Sequence, residues 1–135
     1  MLEKVAGYQS WHRFSRDAEK VPKDAHGHGD PWVVRYYNPA AGPALRADAW
    51  RFPAGSAVVE EDKPMPDAEP TEVTAMIKQP DGDWYWLDLR PDGRVINKKG
   101  QPLAGRVGTC ILCHSQATRD MVLDPELHEL AAARP

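Results

Sequence analysis

The chain has 135 residues, one domain's worth, of which 41% are hydrophobic and 27% charged. Seventeen basic against 20 acidic residues leave a formal net charge of −3, which excludes holding nucleic acid by bulk charge. No apolar run approaches the roughly 20 residues that a membrane-spanning helix needs, and a modest core in a single domain, 1–135, is expected.

Thirteen prolines and ten glycines predict many turns, and five tryptophans are unusual for this length. The opening residues, MLEKVAGYQSW, lack the basic and apolar regions of an export signal. Residues 8–14 (YQSWHRF) space three aromatics to suit one short helix. Residues 20–30, polar with Pro22 and two glycines, read as loop. Trp32–Tyr37 (WVVRYY) is β-branched and aromatic and reads as a strand, ended by Asn38 and Pro39. Residues 40–50 are alanine-rich but interrupted by Gly42 and Pro43, so any helix there is short.

A strand is expected over 56–61 (SAVVEE), then a proline-rich acidic linker over 62–70. Residues 71–78 alternate: Val73, Ala75 and Ile77 share one face, and Glu72, Thr74, Met76 and Lys78 share the other. Turns at 79–83 and 91–93 bracket a strand over 84–89 (WYWLDL), and a short strand follows over 94–97. The last third changes character: 106–116 suits a helix, and Asp124-Pro125 suits a helix start, with the aspartate as cap. The fold class is α+β, an antiparallel sheet of four to five strands with flanking helices.

The chemistry concentrates at the two cysteines. Residues 110–114, CILCH, form a CxxCH sequence, the signature of c-type haem attachment. Two thiols three apart on a helical turn lie on one side, where each can bond one haem vinyl group. The next residue, His114, then comes under the iron as a proximal ligand. Zinc is the competing reading. Cys110, Cys113 and His114 supply three ligands, with His12, His26, His28 or His128 as a fourth, but no second CxxC or HxxxH completes the usual spacing. A thioredoxin-like redox pair needs a βαβ context that these hairpins do not offer. A plain disulfide closing two residues is an unusual staple. Haem c, covalently attached, is therefore the expected cofactor. Because thioethers are made on exported chains, the site of action is expected to be periplasmic or extracytoplasmic, with a signal peptide absent from this sequence.

The order of several segments resembles the cytochrome P-460 and cytochrome c′-beta family, small antiparallel-β monohaem cytochromes with CxxCH near the C-terminus. The matching stretches are 8–11 (YQSW), 34–39 (VRYYNP), 52–61 (FPAGSAVVEE), 82–86 (GDWYW), 110–114 (CILCH) and 118–122 (TRDMV). The resemblance implies that an oxidising branch carries a lysine, cross-linked to the porphyrin, where this chain has Glu60. A carboxylate cannot form that amine bond. Lys63, three residues on, is expected on the other strand face and inside the proline-rich loop. Hydroxylamine oxidation is accordingly disfavoured. The favoured expectation is a five-coordinate iron that binds nitric oxide or carbon monoxide. An electron-transfer cytochrome with a sixth ligand and a redox partner protein is the alternative, and an oxidoreductase acting on hydroxylamine or nitric oxide is a third.

By the same resemblance the strand of Thr74 and Met76 borders the distal pocket, and the family's sheets pair as homodimers. Among candidate sixth ligands, Met65 falls in a loop and Met121 suits core packing. Met76 suits a pocket wall better than ligation. Glu60 is either a solvated strand-end carboxylate, as the run Glu60-Glu61-Asp62 suggests, or a proton carrier at the haem edge. His12 suits a packing role, and His26, His28 and His128 suit solvated positions.

Overall fold

The structure, a computed structural model, describes residues 1–14, 18–21, 30–46, 51–117 and 120–124. Its centre is an antiparallel sheet of six strands in the order β1-β2-β3-β4-β5-β8: Glu19–Lys20, Trp32–Tyr37, Ala57–Lys63, Glu72–Lys78, Trp84–Leu89 and Ala104–Gly105. A separate two-stranded ribbon pairs β6 (Asn97–Lys98) with β7 (Gln101–Pro102). The class is α+β as expected, but with more strands than the expected four to five. The additions are two-residue strands, too short to leave an alternation pattern in the sequence.

Two Pro-Asp-Gly turns set the central register. In residues 79–83 the Gly82 N–H donates to the Gln79 carbonyl at 3.0 Å, and Gly82 takes φ +90°. In residues 90–94 the Gly93 N–H donates to Arg90 at 2.9 Å, with φ +87°. Proline supplies the first corner, the aspartate accepts from the backbone two residues on, and glycine supplies the left-handed residue. The first turn pairs Lys78 with Trp84, Met76 with Trp86 and Thr74 with Asp88.

Period-two alternation sends the strands' side chains to two faces, and both faces are buried. One carries Val34, Tyr36, Val59, Val73, Ala75, Ile77, Leu87 and Leu89, and the N-terminal residues Met1, Val5, Tyr8 and Trp11 pack over it. The expected helix over 8–14 is only a 3-10 turn, Tyr8–Ser10, because His12 leaves it to form a β-bridge with Tyr37. Tyr8 fastens this cover: its hydroxyl donates to Glu61 Oε1 at 2.8 Å, and its ring meets Tyr36 edge-on at 5.2 Å.

The opposite face carries Tyr37, Val58, Met76, Trp84 and Trp86, packed with Ala41, Ala44, Phe52 and Val122. Its covers are α1 (Gly42–Leu45) and α2 (Gly108–His114). In α1, Gly42 and Pro43 do not break the helix. They open it, since proline's missing N–H costs nothing in the first turn.

Two expectations about β3 need correction. Glu60-Glu61-Asp62 is not a solvated edge, because β3 lies inside the sheet between β2 and β4. Glu61 and Asp62 are buried, and Glu60 is ion-paired at its Oε2 with Arg35 Nε at 2.8 Å. Lys63 is not in the loop. It ends β3 opposite Trp32, on the face away from Glu60, and lies 3.5 Å from Glu61. The expected strand over 94–97 shrinks to a bridge between Val95 and Leu89 followed by β6. The helix expected after Asp124, and His26, His28 and His128, lie outside the described residues.

Ile77 is fully buried on the face under the N-terminal cover. Truncating it to alanine should cost about 2–5 kcal/mol, and Ile77→Val about 0.5–1.5, both read from denaturant midpoints at unchanged slope.

Candidate functional site

The segment Gly108–His114 has no side-chain cap and only seven residues, so packing rather than propensity holds it helical. Val107, Cys110 and Ile111 pack into the second core cluster, and His114 continues the same stripe one turn on. The His114 ring lies 4.7 Å from the Trp86 ring, tilted by 59°. Leu112 points the other way and is exposed. Cys110 and Cys113 are both free thiols, half-buried and one helical turn apart.

The decisive contact is at His114. Its Nδ1 lies 2.8 Å from the Met121 carbonyl oxygen. A carbonyl only accepts, so Nδ1 carries the proton, and in the neutral ring the lone pair belongs to Nε2. A backbone carbonyl on one imidazole nitrogen is how proteins fix the tautomer and orientation of a metal-binding histidine.

Beneath α2 the sheet presents two cross-strand rows. Tyr37, Val58, Met76 and Trp86 are neighbours across β2 to β5, and in the next row stand Arg35, Glu60, Thr74 and Asp88. The first row is apolar core. Met76 is 4% exposed and packs in the core among Tyr37, Val58 and Trp86. The second row is polar and half- to fully buried. Arg35 joins Glu60 and, through its Nη1, Glu19 at 3.0 Å. Asp88 is close enough to Cys110 that its charge acts on the thiol. Burial first, and then the Asp88 carboxylate, push the Cys110 thiol above its ordinary range.

Thr74, Met76 and Glu60 therefore share one sheet face with Cys110 and His114, on the side where α2 lies. Met65 is exposed in the loop after β3. Met121 does pack against the core, and its backbone has a further role through its carbonyl. His12 is exposed, edge-on to Phe14 at 5.3 Å.

Trp86, Asp88 and the Met121 carbonyl escaped the sequence reading. The first two were within reach of it, because the Pro-Asp-Gly turn that fixes the hairpin register sets Trp86 beside Met76 and Asp88 beside Thr74. The third depends on the chain reversing after α2.

The donor chemistry fits a covalently held porphyrin: two thiols on one turn, then an imidazole with its tautomer fixed. A second observation agrees. The Trp86 Nε1 is buried and finds no hydrogen-bond acceptor among the described residues. A buried donor left unmet costs about 1–3 kcal/mol, and a group with carboxylate substituents brings acceptors. Among the described residues no three His, Cys, Asp or Glu side chains converge to hold a metal ion, and three of the four histidines expected as a fourth zinc ligand, His26, His28 and His128, lie outside them. Among them also, no helix is long and apolar enough to cross a membrane. No protein-family model and no curated protein matches this chain.

A raised thiol pKa means less thiolate at any given pH. In the chain without haem, iodoacetamide should therefore modify Cys110 more slowly at pH 8 than in the same chain unfolded. Asp88→Asn should speed the folded reaction. Equal rates, resolved by peptide mass mapping, would contradict the electrostatic account.

Proposed function

We propose that this chain is a c-type haem protein of the cytochrome P-460 and cytochrome c′-beta kind. Cys110 and Cys113 would hold the haem through thioethers, each thiol S–H adding across one vinyl group, and His114 Nε2 would serve as a ligand to its iron. The observation that carries the reading is the His114 Nδ1 contact with the Met121 carbonyl, which holds the imidazole in the tautomer that ligation needs. The unmatched Trp86 N–H and the thiol pair on one turn of α2 support it.

When bound, the haem supplies an iron centre able to hold a small diatomic ligand. This chain's residues do the rest. Trp86 packs the proximal imidazole. Thr74, Glu60 and Asp88 offer polar groups beside the apolar row of Tyr37, Val58, Met76 and Trp86. Met76 lines the wall, packed on several sides by core neighbours rather than standing out to reach a metal. This favours an open sixth position and binding of nitric oxide or carbon monoxide over electron transfer with a methionine ligand. Glu60 is committed to Arg35, and its carboxylate cannot make an amine link to the porphyrin. Hydroxylamine oxidation through such a cross-link is disfavoured accordingly. A periplasmic or extracytoplasmic location and a homodimer belong to the same reading and rest on the family resemblance.

Chain matured with haem should gain the mass of one haem and keep it after denaturation, and Cys110→Ser/Cys113→Ser should lose it. The ferrous spectrum should be five-coordinate and shift with carbon monoxide, unchanged by Met76→Leu. A low-spin ferrous form that ignores carbon monoxide, and turns high-spin in Met76→Leu, would establish the electron-transfer alternative instead.

A further inference from the structure

The chain after α2 contains a local conflict. Asp120 and Met121 have φ of +45° and +65°. Two successive residues with side chains in the left-handed region are uncommon, and they persist only where their surroundings over-determine them.

Here three groups hold Asp120 through four hydrogen bonds. Lys78 Nζ donates to both carboxylate oxygens, at 2.7 and 2.9 Å. The Phe52 N–H donates to Oδ2 at 2.7 Å. Trp84 Nε1 donates to the Asp120 backbone carbonyl at 2.9 Å. Lys78 and Trp84 are cross-strand partners in β4 and β5, and the ammonium stands 4.8 Å from the centre of the indole ring. The ion pair is buried, with the lysine side chain 6% and the aspartate 10% exposed. The next carbonyl along the chain, that of Met121, is the one that meets His114 Nδ1.

We infer that the Lys78–Asp120 ion pair is a positioning device for His114, fixing the left-handed turn at 120–121 so that the Met121 carbonyl accepts the His114 Nδ1 proton. In this account Lys78 and Asp120 are positioning residues that act through that carbonyl. The inference rests on the haem reading for its consequence at iron, but the tautomer of His114 reports on it without haem. An Nδ1–H held by a carbonyl makes Nε2 a stronger donor, which favours ferric over ferrous iron. Loosening the turn weakens that donation.

The test compares haem-loaded wild type, Lys78→Met, Asp120→Asn, Lys78→Arg and Ile77→Val, each first confirmed by mass to carry one haem. Asparagine keeps the size of Asp120, tolerates the left-handed backbone and retains an acceptor for Phe52, so it decides the matter if Lys78→Met does not fold. Lys78→Met and Asp120→Asn should lower the ferrous iron–histidine stretching frequency in resonance Raman spectra and raise the midpoint potential. Lys78→Arg should restore most of both. Ile77→Val, on the opposite sheet face, should lower the melting temperature without moving either.

Loss of stability in Lys78→Met or Asp120→Asn with an unmoved stretch and potential would overturn the inference and leave a purely structural clamp. If wild type carries no haem, the mass alone refutes the haem reading. Nitrogen NMR of His114 then decides the inference separately. A protonated Nδ1 in wild type that becomes a tautomer mixture in Asp120→Asn supports it, and an unchanged tautomer overturns it.

Discussion

A sheet that is apolar on both faces has to be covered twice, and that constraint organises this molecule. β3, β4 and β5 place Val59, Ala75 and Leu87 on one face and Val58, Met76 and Trp86 on the other. The N-terminal residues close the first face. On the second lie α1, α2 and the segment after it. The helix bearing the thiols is too short to be stable alone, so the sheet face is what makes it a helix and sets its orientation.

The second face is not uniformly apolar. One row carries Arg35, Glu60, Thr74 and Asp88, with Lys78 beyond it on the same face of β4. Buried charges are tolerated only when paired and hydrogen-bonded. Arg35 meets Glu60, and Lys78 meets Asp120. Removing one member of such a pair commonly costs about 3–5 kcal/mol, whereas replacing both with apolar groups is often neutral. Polar pairs that add little net stability are better explained by what they position. For Lys78 and Asp120 that is a strained turn beside an imidazole. Tyr37 shows a related logic at the far end of the segment, where its buried hydroxyl donates to Asp124. Burial and that carboxylate hold the phenol well above its ordinary pKa.

Family resemblance and geometry bear on different parts of the reading. The resemblance implies that the strand of Thr74 and Met76 borders a distal pocket and that Glu60 stands where an oxidising branch has its cross-linking lysine. The geometry adds that Glu60 is engaged by Arg35, that Met76 is enclosed, and that His114 is held by a main-chain carbonyl. The last needs no family, since it follows from which atom can donate and which can only accept.

Much of this was legible in the residues themselves. Alternation over 71–78 sorted the two faces of β4, the Pro-Asp-Gly turns fixed the hairpins, and the spacing of Cys110, Cys113 and His114 placed two thiols and an imidazole on one turn. These are short-range properties, set by backbone sterics and side-chain period within a few residues. The burial of Glu61 and Asp62, the place of Lys63 in β3, and the meeting of Lys78 with Asp120 and of His114 with Met121 were decided only by the tertiary structure. Each depends on which segments the chain brings together across the sheet or after a reversal. No local preference encodes that, because the free energy that selects it comes from burying two faces at once.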